Sequence, residues 1–507
     1  MASKPSPSHT AEILLVLGEH LDPGSLTSCV RVCKLWNELL LPFLYHTLDI
    51  CTFNYEDAEP YDILVEAERI RQRLPSRRAL HRYGSLYREL YLSLPCPFID
   101  TLVFITKGIR HVILTSLVLL DESNLDRMPG FQALLSKNVK IERLDIRGFR
   151  GPCASRMIGQ LIQCCPNLQE FAVEESDFGI ADIAYLKHCP QLSKIILNIP
   201  GVESSEKRAI QVPSLPNLKS FELLSGDVRH EVDLPTVFEL VVSWPNLEKL
   251  LLATESDKPY NLPLPLRPFH LNLLHLEISS EVLEDHDLAR LLAACNRLSN
   301  LALLGQPLGW SSLPALIGRA GTLTSLTLSF GVPIDASMLK QLLCSLPKLT
   351  HFTCSRMDVD LMFPELTDGT AASSEGKNDW TSFSIGCPLP PLAHRRWACA
   401  RLKVLEIQEL VLSFDTARNR IALDQWKSLS DLENFDVRSS YRQKNIFDPK
   451  QQSNNGSTTS SQSLVDDTTV EAVETLVVDR YDIGRDPELQ WMRKAWPNIQ
   501  FYTGPVI

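Results

Sequence analysis

Apolar residues along most of this chain fall into one compound pattern that returns about every 26 residues. A set at i, i+3, i+4 and i+7 comes first, and an L-x-x-L-x-L-like set begins three residues later. Phe131, Leu134, Leu135 and Asn138 lead into Ile141, Leu144 and Ile146. Ile158, Leu161, Ile162 and Cys165 lead into Leu168, Phe171 and Val173. The arrangement recurs at Val237–Trp244 before Leu247, Leu250 and Leu252, and at Leu288–Cys295 before Leu298, Leu301 and Leu303. It returns at Leu313–Ala320 before Leu323, Leu326 and Leu328, and at Leu339–Leu346 before Leu349, Phe352 and Cys354. The first half of each unit keeps one helix face apolar, and the second half alternates as a half-buried strand does. Each period therefore predicts a helix followed by a strand.

A single unit of this size cannot bury its apolar face alone, so neighbouring units must stack. Strands then pair as a parallel sheet on one wall and helices fill the other. Helices are about 10 Å wide and strands lie about 4.8 Å apart, so the array bends with the sheet on its concave side. The expected fold is an α/β solenoid, a leucine-rich-repeat horseshoe with a concave parallel sheet and convex helices. The first apolar residues of successive strands are read at Tyr87, Leu114, Ile141, Leu168, Leu192, Leu218, Leu247, Leu273, Leu298, Leu323 and Leu349. Spacing then widens to Leu402, Leu432, Val473 and Ile499, for about fifteen strands. Trp380-x-x-Phe383-x-Ile385 is a candidate for a strand displaced by an insert, and polar inserts are expected at 367–378 and 449–466. The repeats span 86–507, and an arginine-rich helical linker is expected over 51–85.

Composition narrows the class. The 507 residues carry a net charge of −11 and no long Lys/Arg run, which argues against nucleic acid as the main partner. Apolar runs such as Ile13–Leu17 are too short to span a membrane. Thirteen cysteines lie scattered without paired CxxC spacing, and Cys165, Cys189 and Cys295 end predicted helices. Reduced, buried thiols in a cytoplasmic or nuclear protein are the expectation. Cys29 and Cys33 sit one helical turn apart with no second pair to complete a metal set. No P-loop, H-E-x-x-H or G-x-S-x-G motif is present, so neither a catalytic residue nor a cofactor is assigned.

The first fifty residues break the period. Ile13, Leu14, Leu17 and Leu21 give one helix an apolar face, and Asp22-Pro23-Gly24 is a turn with Asp22 or Ser25 available to cap the next helix. Leu26, Cys29, Val30, Cys33, Trp36 and Leu40 then follow helical spacing. A helical module of this size leaves apolar surface for a partner or neighbour to cover. The order Glu12-Ile13-Leu14, Leu21-x-Pro23-x-x-Leu26 and Val32-Cys33-Lys34-x-Trp36 resembles the F-box motif. With the repeats behind it, the chain resembles the F-box/leucine-rich-repeat proteins, particularly fungal ones. His9-Thr10 stands where members usually carry Leu-Pro, a departure that bears on adaptor affinity.

What the resemblance implies is substrate selection in a Skp–cullin–F-box ubiquitin ligase, without covalent chemistry by this subunit. The implied contacts to the Skp adaptor, and through it to cullin, are Ile13, Leu14, Leu17, Leu21, Pro23, Leu26, Val32 and Trp36. Read without the resemblance, the same helices are a cap on the end of a protein-binding scaffold. Strand alternation sends Arg143, Asp145, Arg147, Glu170, Glu174, Lys194 and Asn198 to the concave face, followed by Lys249, His275, Glu277 and Asn300. Of these, Arg143, Arg147, Glu170, Glu174, Lys194, Lys249, His275 and Glu277 are the candidate contacts to an unidentified target protein. The cluster Arg69, Arg71, Arg73, Arg77, Arg78, Arg82 and Arg88 reads first as a solvated linker helix and second as a dock for an acidic or phosphorylated partner.

Overall fold

The computed structural model describes residues 7–50, 76–94, 102, 108–116, 128–198, 212–225, 234–254, 271–279, 283–306, 308–329, 336–358, 397–412, 429 and 434–442. The chain divides into two compact units, Met1–Leu283 and Glu284–Ile507. Both are built from parallel strands laid down in chain order.

The first unit opens with three helices, α1 (Pro7–His20), α2 (Pro23–Cys29) and α3 (Lys34–Leu44). Asp22 caps α2, accepting the amides of Gly24 and Ser25 at 2.9 and 3.0 Å and the Ser25 hydroxyl. Pro23 holds the first helical position, where its missing N–H costs nothing. Leu14, Leu26 and Leu40 are buried. Gly18 lets α1 approach α3, because a Cβ there would sit 2.6 Å from the Phe43 ring.

Nine strands follow. They are β1 (Thr47–Asp49), β2 (Glu89–Leu94), β3 (His111–Ser116), β4 (Arg143–Arg147), β5 (Glu170–Glu174), β6 (Lys194–Asn198), β7 (Ser220–Ser225), β8 (Lys249–Thr254) and β9 (His275–Ser279). Each pairs in parallel with the next. The all-helical reading of residues 1–50 therefore stops early, since Thr47–Asp49 already belongs to the sheet. Between strands lie α4 (Arg77–Tyr83), α5 (Met128–Lys137), α6 (Ala154–Gln163), a 3-10 helix over Ile180–His188, and α7 (Leu234–Ser243). The second unit carries β10 (Asn300–Leu304), β11 (Ser325–Ser329), β12 (His351–Asp358), β13 (Val404–Leu412) and β14 (Asn434–Arg442), again parallel and in order. Its helices are α8 (Asp285–Ala294), α9 (Ser312–Ile317) and α10 (Ala336–Ser345).

The repeat pattern maps directly onto the core. In β5 the residues alternate, with Phe171 and Val173 fully covered and Glu170, Ala172 and Glu174 half-buried. Leu161, Ile162 and Cys165 in the preceding helical segment are buried as well, and the same alternation holds in β6, β10 and β11. One strand frame differs from expectation. Leu114 pairs with Ile146 and Leu92, so it takes the last apolar position of its strand, and Ile109 takes the first. The run Val112-Ile113-Leu114 is apolar at every position, so alternation could not set the phase there. In the second unit β12 pairs directly with β13. Residues 380–385, Leu432, Val473, Ile499, both polar inserts and the arginines at 69, 71 and 73 lie outside the described residues.

Two devices lock adjacent repeats. Carbonyls before successive strands accept two amides each from the next repeat: Glu142 from Gln169 and Glu170, Gln169 from Ser193 and Lys194, Ser193 from Lys219 and Ser220. An asparagine ladder adds side-chain bonds at the helix-to-strand turn. Asn167 donates to the Val139 carbonyl at 2.7 Å, Asn217 to Pro190 at 2.9 Å, Asn246 to Pro216 at 2.7 Å and Asn272 to Pro245 at 2.8 Å. In the second unit, Asp285 plays a comparable part by accepting the amides of Gly309, Ser311 and Ser312, the start of α9.

Candidate binding surfaces

Two surfaces carry the residues that the sequence singled out. The first is the N-terminal module. A helix winds through 3.6 residues per turn, so the five consecutive apolar residues Ile13–Leu17 must cover every side of α1. Among the described side chains of α1, the stripe carrying Leu14 and Gly18 alone is fully buried. Ile13, Leu15, Val16 and Leu17 stay exposed, and Val32 and Leu35 join them from the turn before α3 and its start. Of the nine exposed large apolar side chains among the described residues, these six fall between positions 13 and 35. Soluble surfaces rarely gather apolar groups this densely without a partner to cover them. Leu14 and Leu26 are 2 % and 4 % exposed, so they hold the module together from inside. Pro23 is exposed, and Leu21 and Trp36 are half-buried.

The second surface is the open face of the first unit's sheet. The strand register arranges its outward residues in three rows. His111, Arg143, Glu170, Lys194, Ser220, Lys249 and His275 form the first. Behind them lie Ile113, Asp145, Ala172, Ile196, Glu222, Leu251 and Glu277, then Thr115, Arg147, Glu174, Asn198, Leu224, Ala253 and Ser279. All eight expected target contacts therefore share one face. Their exposure varies: Arg147 and His275 are exposed, and Arg143, Glu170, Glu174, Lys194, Lys249 and Glu277 are half-buried.

The charges on this face are paired with one another. Asp145 is 2 % exposed, held by two hydrogen bonds from Arg143 at 3.1 Å and by His111 Nε2 at 3.0 Å. Burial alone would raise its pKa, but the hydrogen bonds from His111 and Arg143 prevail and hold it below the usual carboxylate range. Arg143 also reaches Glu170 at 3.6 Å, and Arg147 reaches Glu174 at 3.2 Å. Two strands further on, Glu222 accepts from Lys249 at 2.8 Å and lies 3.4 Å from Lys194. Its burial again opposes ionisation, and the two lysines depress its pKa regardless.

Sequence reading passed over His111, Ala172, Ile196, Glu222 and Leu224. Four of these occupy the outward position of a strand already recognised, so the same alternation that found Arg143 would have found them. His111 was hidden by the misplaced frame of β3. Where Ala172 sits between its larger neighbours, the sheet has a recess of about 160 Å³, with Ile196 and Leu224 in its wall and Arg143, Arg147 and Glu174 at its edge. Among the described residues, no three His, Cys, Asp or Glu side chains are grouped as a metal would require. No described helix is long and apolar enough to cross a membrane.

No protein-family model matches the chain, and no curated protein matches it either. Solved structures do. An internalin (InlF) of Listeria monocytogenes is similar at 13 % identity and a TM-score of 0.37, over 72 % of this chain and 84 % of that one. TLR13, solved in complex with ssRNA13, is similar at 14 % identity and a TM-score of 0.29, over 71 % of this chain and 59 % of that one. The strands themselves decide the fold, since within each unit they lie parallel in chain order, with helices described between many of them. This is a leucine-rich-repeat solenoid. Its open sheet face and its N-terminal apolar patch are the candidate surfaces among the described residues.

Proposed function

We propose that this protein is the substrate-recognition subunit of a Skp–cullin–F-box ubiquitin ligase, acting in the cytoplasm or nucleus. Its N-terminal module docks the Skp adaptor, and the adaptor joins it to cullin. The open face of the repeats holds the target protein. The observation that carries this reading is the apolar patch of α1 and the Val32–Leu35 segment. It falls in the same residues whose order resembles the F-box, with Ile13, Leu17, Val32 and Pro23 on the surface and Leu21 and Trp36 partly so. The protein contributes proximity, raising the effective concentration of target lysines near the ubiquitin donor, and no bond is made or broken by its own side chains.

One contact favours a second reading, in which the module is a cap on a protein-binding scaffold. Tyr45, just after α3, stacks on Tyr83 with ring centroids 4.8 Å apart and meets Tyr87 edge-on at 5.7 Å. That cluster fixes the module to the start of the repeats. A cap alone gives no reason to leave Ile13, Val16 and Val32 about 60 % exposed (61 %, 58 % and 64 %). Co-purification with a Skp adaptor separates the readings, comparing the full chain with one lacking residues 1–44, which keeps β1. Capture by the full chain and its loss on truncation is the expected result. No capture by the full chain would leave only the scaffold reading.

A further inference from the structure

We propose that the recess over Ala172 and the lysine pair beside it form one docking site, which takes an extended protein segment carrying a bulky apolar residue three positions from a carboxylate. The proposal rests on the reading that the open sheet face holds a target, and it names where and by what chemistry.

The recess is bracketed on both sides by cross-strand ion pairs. Arg143–Glu170 lies in the row before Ala172 and Arg147–Glu174 in the row after it. Alanine is the smallest residue in its row, so the space above it is a hole in a row otherwise built from longer side chains. At about 160 Å³ it is the size of a cavity that admits a benzene ring. Ile196 and Leu224 give it an apolar wall, and the guanidiniums of Arg143 and Arg147 stand at its rim, where a planar cation can stack on an aromatic ring.

Charge then selects what flanks the anchor. Around the recess, two arginines face three carboxylates, Asp145, Glu170 and Glu174, so a phosphate or carboxylate there would meet a negative balance. The balance reverses at Glu222, where Lys194 and Lys249 share a single carboxylate. Each ammonium has three donors, and one shared acceptor leaves capacity for a second carboxylate. Glu222 is two strands beyond Ala172 in the same row, about 10 Å across the sheet. An extended chain covers about 10 Å in three residues. The matching segment is therefore an aromatic or large aliphatic residue and an Asp or Glu at i+3 or i−3.

The test uses the purified full chain as bait for displayed random peptides about 12 residues long. Enriched peptides should share the apolar-x-x-acidic spacing in one direction or the other. A fluorescent version of an enriched peptide should lose about tenfold or more in affinity for Ala172→Trp, which fills the recess, and for Lys194→Glu with Lys249→Glu. Binding should be unchanged in Thr327→Trp, the equivalent outward position of β11. Thermal unfolding midpoints confirm that each variant folds, and the lysine pair keeps the test decisive if Ala172→Trp does not fold. Failure to enrich any peptide, enrichment without the spacing, or equal binding to both variants overturns the site. Peptides lost on Thr327→Trp instead would move the target surface elsewhere on the sheet. Adaptor capture by the same variants reports on the ligase reading separately, since none of them touches residues 1–44.

Discussion

Arg143 grips Asp145 two residues along the same strand, with Nε and a terminal nitrogen each donating to a separate carboxylate oxygen at 3.1 Å. Asp145 is thereby a buried charge on the face of the sheet that is nominally open. Its folded-state pKa is depressed, so its stabilising effect is present above the unfolded value and is lost as pH falls through the folded one. Asp145→Asn should cost about 1–3 kcal/mol at pH 7, because the amide keeps one acceptor oxygen but loses the other and the charge that Arg143 and His111 share. Urea unfolding across pH 7 to 3 checks it. The deficit should shrink toward the acid end, and a deficit independent of pH would mean that packing, not charge, is at stake.

Leu326 and Thr327 are adjacent in β11 and face opposite ways, with Leu326 fully covered and Thr327 half-buried. Leu326→Asp forces an unpaired carboxylate into the core and should cost more than about 4 kcal/mol or prevent folding. Thr327→Asp should stay within about 1 kcal/mol of wild type. Equal melting temperatures for the two variants would contradict the inward assignment.

These contrasts also measure what could be read from the sequence. Alternation placed Leu144, Phe171, Leu301 and Leu326 inward because each is flanked by polar or small neighbours that fix the phase. It failed at Val112-Ile113-Leu114, where the core face and the open face are both apolar and Ile113 is itself only 8 % exposed. The charged row was legible, since Arg143, Glu170, Lys194 and Lys249 sit at the outward positions. Its pairing was not. Which carboxylate a given arginine meets depends on the register between strands about 27 residues apart, and no local pattern encodes that. The recess was equally invisible, because Ala172 is informative only beside Asp145 and Ile196.

The asparagine ladder is a second feature absent from the apolar pattern. Asn246 donates to the Pro216 carbonyl of the preceding repeat, and it is solvent-exposed. Asn246→Ala should therefore lose about 0.5–1.5 kcal/mol, the value of one hydrogen bond that water can partly replace. Combined with Asn217→Ala and Asn272→Ala the losses should accumulate, and the denaturant midpoint should fall in steps. A triple variant as stable as wild type would reduce the ladder to a surface ornament.

Thiol reactivity should divide by position. Burial raises the thiol pKa of Cys165, and it pushes Cys189, Cys295, Cys354 and Cys399 up to about 12. At pH 7.5 these side chains carry almost no thiolate and have no solvent access, so native alkylation should miss them. Cys33 is exposed and should label first among the described cysteines. Peptide mapping after brief iodoacetamide treatment reads this directly. Early labelling of Cys189 or Cys295 would show the helical wall opening on that timescale.

The N-terminal module separates docking from folding most sharply. Ile13 and Val32 are 61 % and 64 % exposed, whereas Leu14, next to Ile13 in α1, is 2 % exposed. Ile13→Asp with Val32→Asp should leave the helical content and melting temperature near wild type, because both new charges remain hydrated. Adaptor capture should drop by about tenfold or more, since each charge would have to be desolvated at the interface. Leu14→Asp should instead unfold α1 against α3, and capture should fall together with helicity. Trp36→Ala stands between them: half-buried, it should lose capture with only a modest change in stability. If the Ile13/Val32 pair folds normally and captures the adaptor as well as wild type, the exposed patch is not the docking surface, and the helices serve the solenoid as its cap.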